Sequence, residues 1–369
     1  MENRKLRVLH IFSGVGGGIS TWIRKAALFS KEKYVIDAMA FAMSNKAGFM
    51  ETIEKNGGIC CEMPRIKNGI IPLIKYVKRA INDNNYDVIH CHIDGYAAIP
   101  IWFSANLLCR KKIIIHSHRT AIEKIAEKKY ANILYSVNRG VNKIIVRNKM
   151  ACGEKAACFA FGKSKGVKIL YNGIDPISYD IECNIDVGDE ERINIVALGR
   201  LDRVKNHLYM IRIAKKLKDM DVPFHFYIVG DGELREKLST IIQEQDLEQC
   251  VSLEGYCNTP EIYLERCDIF VMPSFSEGLP TVMLEAQEYG CGILTSEFVT
   301  RECDLELGLV TFLGIEEKNI DDWAMYIAEH KKKKSCISKE VFNNRLDEKG
   351  FLNEKIYAEY FEYLKKIVE

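Results

Sequence analysis

No stretch of the sequence approaches the roughly 18 consecutive apolar residues that a membrane-spanning helix needs. Neither sign of charge dominates: 52 Lys and Arg stand against 51 Asp and Glu, a net of +1. A global attraction to nucleic acid is therefore not expected, and affinity for phosphate must come from local clusters. No C-x-x-C pair occurs among the 13 cysteines. Their strand-like and helical surroundings suit small buried hydrophobes in a reducing compartment, not a disulfide frame or a zinc site. The opening MENRKLRVLHIF is basic and then apolar, but the run breaks at once into Ser13-Gly14-Val15-Gly16-Gly17-Gly18. A first strand is expected there, not a signal peptide.

What the chain does have is an ordinary globular balance, 47% hydrophobic and 28% charged over 369 residues. That length suggests two domains. Short β-branched runs alternate with helical patterns: strands are predicted at 6–12, 35–42, 86–92, 112–118, 143–148 and 167–172. After an acidic segment at 175–191 the pattern restarts, with strands at 193–199, 224–230, 251–255, 268–274 and 292–296. Helices are expected at 20–29, 72–82, 205–218, from 233, and at 281–289. Apolar runs without clean alternation suit strands buried on both faces of parallel sheets. The fold class is therefore α/β, with two doubly wound Rossmann-like domains in series. The expected boundaries are 1–174, 190–345 and a helix at 346–369 whose apolar face would pack back on the first domain. Such sheets bind ligands beyond the carboxyl ends of their strands, so a cleft between the domains is expected.

Three segments there carry chemistry. The glycine run after the first strand lets a backbone approach a phosphate at a helix N-terminus, or is a flexible turn. It is neither a Walker A loop nor the dinucleotide fingerprint. Gly199-Arg200, followed by Lys205, offers a guanidinium fork and an ammonium for phosphate oxygens, or two solvated charges. In Ser274–Glu285, Pro280 suits a helix start, and the amides of Gly278, Leu279 and Thr281 would form an anion site. Glu277 in the loop and Glu285 one turn into the helix would accept hydrogen bonds from sugar hydroxyls, or serve as a cap and a surface charge.

Gly-Arg-x4-Lys followed by E-G-L-P-x4-E, with YNGID (171–175), IVGDGELR (228–235) and LEGY (253–256), resembles the retaining glycosyltransferases of family four. The likeness covers nearly the whole chain and is strongest from Val167 to Ser296. IIIHSHRT is similar to the branch that builds bacterial capsule, exopolysaccharide and O-antigen chains. The resemblance implies the GT-B fold and transfer, with retained configuration, from a nucleotide sugar to a glycan hydroxyl. A UDP-sugar donor and a lipid-linked acceptor are favoured. Arg200 and Lys205 would bind the diphosphate, Glu277 the transferred sugar and Glu285 the ribose. Gly16 and Gly17 would close over the phosphates, and Gly230 and Tyr256 would border the base. His118 matches a histidine near the transferring sugar. His116 is taken to point to the opposite strand face, and His90 to be structural. His92 is structural too, or lines an acceptor pocket with Asp94. A front-face route, with the leaving phosphate helping to deprotonate the acceptor, is the family expectation.

No metal or other cofactor is expected, since Arg and Lys do the charge work. Asp219-Met220-Asp221 fits a metal motif by letter but falls at a helix terminus. Residues 67–79, KNGIIPLIKYVKR, and the lysine run 331–334 suit either solvated faces or contact with an anionic membrane. A cytoplasmic protein, peripheral on the inner face of the plasma membrane, is the expected setting, with no nucleic-acid partner. The rival readings are a sugar-nucleotide 2-epimerase of the same fold and a non-catalytic nucleotide-sugar binder.

Overall fold

The computed structural model describes residues 4–30, 33–93, 98–120, 146–178, 192–329 and 337–369, with Val137, Arg139, Gly140, Asn142 and Lys143 between them. The chain divides into two compact units, residues 1–173 with 350–369, and residues 174–349.

In chain order, unit 1 contains β1 (Leu6–Phe12), α1 (Gly18–Phe29), β2 (Tyr34–Ala40), α2 (Phe49–Lys55), β3 (Cys60–Glu62), α3 (Ile70–Asn84), β4 (Val88–Cys91) and α4 (Ala98–Trp102). β5 (Lys112–Ser117), β6 (Asn148–Ala151), α5 (Glu154–Phe161) and β7 (Lys168–Ile169) follow. Unit 2 contains β8 (Ile193–Leu198), α6 (His207–Asp219), β9 (Phe224–Val229), α7 (Arg235–Glu244), β10 (Val251–Gly255), α8 (Glu261–Glu265) and β11 (Ile269–Met272). α9 (Thr281–Glu288), β12 (Gly292–Ser296), β13 (Val310–Leu313), α10 (Ile320–Glu329) and α11 (Lys339–Glu348) complete it, and α12 (Asn353–Val368) returns to unit 1.

Both sheets are parallel. Unit 1 has the order β3-β2-β1-β4-β5-β6-β7 and unit 2 the order β10-β9-β8-β11-β12-β13. Each follows the doubly wound pattern, with a topological switch point between its first and fourth strands. The central strands are largely buried, as the unbroken apolar runs require, with VIHC of β4 and IFVM of β11 wholly so, whereas β3, β7, β10 and β13 at the sheet edges are mostly half-buried.

The structure places one strand later than the sequence reading did. The predicted strand 143–148 is replaced by Asn148–Ala151, whose first residue pairs with Ile114. Two short strands were not anticipated. β3 has three residues on the sheet edge, and β13 closes the other sheet. Of the segment read as a linker, Ile177 is buried, and its backbone exchanges two hydrogen bonds with the Asn343 amide. Residues 179–191 and 330–336, with the lysine run, lie outside the described residues.

α12 repeats apolar residues on one face: Ile356, Tyr357, Tyr360, Phe361 and Leu364 are buried. Tyr357 donates to the Trp22 carbonyl at 2.9 Å, and Phe361 stacks on Tyr34 with ring centroids 4.4 Å apart. Burying such side chains contributes about 1.5–3 kcal/mol each before entropy is counted. Among the described residues no helix is long and apolar enough to cross a membrane.

Candidate active site

In unit 2 the site grows from the carboxyl ends of β8 and β11, on either side of the switch point. β8 ends at Gly199, whose φ is +150°. A Cβ there would lie 2.8 Å from Lys205 Cε, so only glycine lets the lysine side chain fold back over the strand end. Asp202 organises the loop. One carboxylate oxygen accepts from the Val204 and Lys205 amides at 3.0 and 3.2 Å, and the other from Arg200 Nε at 2.9 Å. Asn206, with φ +57°, caps α6 and donates to the Pro273 carbonyl at 3.1 Å. The Phe275 amide donates to the Val204 carbonyl at 2.9 Å. These bonds tie the two strand-end loops together.

The result is an ion pair between Lys205 Nζ and Glu277 Oε1 at 2.8 Å, with side-chain exposures of only 18% and 15%. Arg200 keeps 73% of its side chain exposed beside them in sequence. Gly230, at the end of β9, packs so closely that a Cβ would fall 1.8 Å from the Gly199 carbonyl oxygen. Its amide donates to the Gly255 carbonyl at 2.8 Å, and Tyr256 follows with 45% exposure. Pro280 is the N-cap of α9, and Thr281 its first residue. Leu279 and Pro280 are buried, and Gly278, Thr281 and Glu285 are half-buried. The first-turn amides of such a helix lack intrahelical partners and favour an anion.

Asp219 and Asp221 lie elsewhere. Asp219 ends α6 and pairs with Lys215, one turn earlier. That helix end leads into the amino end of β9, away from the strand ends that carry Lys205 and Glu277.

In unit 1 the glycine loop satisfies part of its own backbone. Ser20 Oγ accepts from the Gly16 and Gly17 amides at 3.0 and 3.1 Å and donates to the Gly17 carbonyl at 2.8 Å. Gly17 is the N-cap of α1. A phosphate reaching those two amides would displace Ser20.

His118 follows β5 directly, and its arrangement with His116 differs from the expected one. His116 and His118 do not face opposite ways: their ring centroids are 4.0 Å apart. Residues two apart on a strand share a face. The same geometry stacks His90 on His92 at 4.2 Å. His10 of β1, which sequence reasoning passed over, joins them, as does Tyr360 of α12. Five of the chain's eight histidines thus converge at the switch point of one sheet. Burial in this apolar setting lowers their basicity. His10 and His118 are pushed down to about 3, and His90, His92 and His116 well below the ordinary value. All five are neutral at pH 7. Two triads, His10–His90–His92 and His92–His116–His118, bring their ring nitrogens close enough for metal ligation. The signal was legible as histidines at matching positions of three adjacent strands. Asp94 lies outside the described residues.

Residues 67–79 resolve into α3 and the turn before it. Leu73, Val77 and Ile81 are buried in the core, which makes this first of all a core-facing amphipathic helix. Lys75, Lys78 and Arg79 are on its exposed back, and Ile70 and Ile71 are exposed at its start.

Known proteins share this architecture and sequence. The sequence family described as "Glycosyl transferases group 1" matches residues 184–348. A protein of Bacillus subtilis (strain 168) named "Putative glycosyltransferase EpsF" is 30% identical over 351 residues, 89% of this chain and 88% of that protein. The UDP-Gal:alpha-D-GlcNAc-diphosphoundecaprenol alpha-1,3-galactosyltransferase of Escherichia coli is 26% identical over 297 residues, 76% and 73% of the two chains. The crystal structure of Anabaena Alr3699/HepE in complex with UDP-glucose superposes with a TM-score of 0.71, at 17% identity, over 98% of this chain and 100% of that one. The parallel α/β units, the lysine–glutamate pair at a strand-end switch point and this likeness over nearly the full length agree, and the chain belongs to the group 1 glycosyltransferases.

Proposed function

We propose that the protein transfers a sugar from a UDP-sugar to a hydroxyl of a lipid-linked glycan, with retention, in bacterial surface-polysaccharide synthesis. The observation that carries this is the Lys205–Glu277 pair, held nearly out of solvent beside the N-terminus of α9. As the bond from the anomeric carbon to the diphosphate breaks, negative charge grows on the leaving phosphate. Lys205, Arg200 and the amides of Gly278 to Thr281 are the positive groups for it. Asp202 and Gly199 hold the first two in place before the substrate arrives. A carboxylate has two oxygens; Lys205 engages one, and the Glu277 carboxylate can still accept from a sugar hydroxyl. Glu285 takes the ribose, and Gly230 and Tyr256 border the base. In unit 1, His118 and the Gly16-Gly17 loop are assigned to the sugar and the phosphate, while His92, buried with both ring nitrogens engaged by His118 and His10, takes the structural role. The relatives named for undecaprenyl-linked substrates and polysaccharide synthesis support this choice of acceptor.

Transfer needs no metal in this reading, since protein cations meet the diphosphate. The exposed Ile70 and Ile71, together with Lys75 and Lys78, form the contact with an anionic bilayer; Phe103, Leu107 and Leu108, exposed on the neighbouring helical turn, extend it. Thermal-shift titration with UDP, GDP and their sugars, with and without EDTA, tests the donor class. Stabilisation by a UDP-sugar that survives EDTA and is lost in Lys205→Ala is expected. A GDP-sugar preference, or a response abolished by EDTA, would overturn it.

A further inference from the structure

The histidine cluster of unit 1 is a single unbranched hydrogen-bonded chain. His118 Nε2 meets His92 Nδ1 at 2.9 Å, and His92 Nε2 meets His10 Nδ1 at 2.9 Å. His10 Nε2 meets the Tyr360 hydroxyl at 3.2 Å, and that hydroxyl meets His90 Nδ1 at 2.8 Å. His90 Nε2 meets His116 Nδ1 at 3.2 Å. The two terminal nitrogens, His118 Nδ1 and His116 Nε2, are buried and have no partner among the described residues.

A neutral imidazole has one N–H and one lone pair, and a hydroxyl has one proton. Each link joins Nε2 of one ring to Nδ1 of the next, or to the tyrosine oxygen. Two arrangements make every link and also use the tyrosine proton: all five histidines carry the proton on Nε2, or all five carry it on Nδ1. A mixture sets two lone pairs or two N–H groups against each other, or, where Tyr360 accepts from both His10 and His90, leaves the tyrosine O–H without a partner in the core; each is costly. Tyr360 joins the halves, accepting from one histidine and donating to the other.

We propose that these six groups form one proton-ordered relay, and that Tyr360 is a positioning residue that holds His118 in a single tautomer. His118 is the half-exposed member, at the carboxyl end of β5, where open α/β sheets take ligands. The relay sets what its free Nδ1 offers: a lone pair in one state, an N–H in the other. That nitrogen is itself buried, so only a group that enters beside it, such as a hydroxyl oxygen accepting its proton, selects the Nδ1–H state at all five rings. No net proton transfer is involved, because His116 Nε2 has no partner to receive a proton. The effect on turnover rests on the glycosyl-transfer reading; the tautomer order is independent of it.

The test is nitrogen-15 NMR of the histidine rings in the wild-type protein at pH 7, together with Tyr360→Phe. The wild type should show five neutral rings with the same tautomer. Tyr360→Phe should split the set, leaving His10, His92 and His118 free to differ from His90 and His116. It should lower kcat about tenfold or more with little change in the KM for the donor. Mixed tautomers or a charged ring in the wild type would overturn the relay, even if the variant fails to fold. So would stoichiometric binding of added Zn2+ at the histidines, since a metal would occupy lone pairs that the chain uses. Uniform tautomers and unchanged kcat in a folded Tyr360→Phe would remove Tyr360 from the positioning role.

Discussion

Mild acid should unfold unit 1 before unit 2. Five histidines, four buried and His118 half-buried, stay neutral in folded unit 1, two of them down to about pH 3. Unfolded histidines titrate near 6.5. Above pH 6.5 neither state binds these protons, so stability is at its full value. Below it only the unfolded state binds them, and stability falls as the pH falls. At pH 5.5 each such histidine costs about 1.4 kcal/mol, and five cost about 7 kcal/mol, against a typical domain stability of about 5–15 kcal/mol. Among the described residues of unit 2, His207 is pushed down to about 4 by burial and costs about 1.4 kcal/mol, and half-buried His225 is lowered less. Calorimetry between pH 7.5 and 5 should show one transition falling steeply while another barely moves. Trp22, whose ring lies 5.5 Å from those of His90, His92 and His116, reports on unit 1 by fluorescence once unit 2 loses its tryptophan in Trp323→Phe. A unit 1 transition that does not move between pH 7 and 5.5 would refute the reasoning, because the rings would then be charged in the folded state.

Other expectations follow from particular contacts. Lys205→Ala and Glu277→Ala should each lower transfer a hundredfold or more, about 3 kcal/mol in the barrier, measured as kcat/KM with the donor varied. Gly230→Ala meets both a positive φ of 144° and the Gly199 carbonyl, and should destabilise unit 2 by about 3 kcal/mol in urea unfolding. Replacing Ile70 and Ile71 by Ser should leave thermal stability unchanged, since both are exposed, and should weaken flotation with anionic vesicles on the order of tenfold.

The parallel sheets were legible because strands buried on both faces are written as unbroken apolar runs. β3 escaped because three residues, Cys60–Glu62, give no period to detect and sit half-buried on an edge. The Lys205–Glu277 neighbourhood was legible from motif order. Asp202 and Asn206, which hold that loop, were not: a carboxylate that accepts two backbone amides looks like any surface Asp in sequence. The histidine cluster was only half seen. Pairs spaced two apart announce one face of a strand, but their meeting with His10 and Tyr360 depends on strand order and on where α12 docks. Neither is local.

α12 is made after unit 2 yet packs inside unit 1. During synthesis the seven-stranded sheet therefore waits, its Trp22 and histidine face uncovered, while the chain of unit 2 is being made. Unit 2 has all its segments in one continuous stretch and is free to fold as soon as it emerges, so the second unit in sequence is the first able to finish. Until Tyr357 and Tyr360 arrive, a nascent chain presents an apolar, imidazole-lined surface. Chaperone binding should concentrate on chains stalled before residue 353.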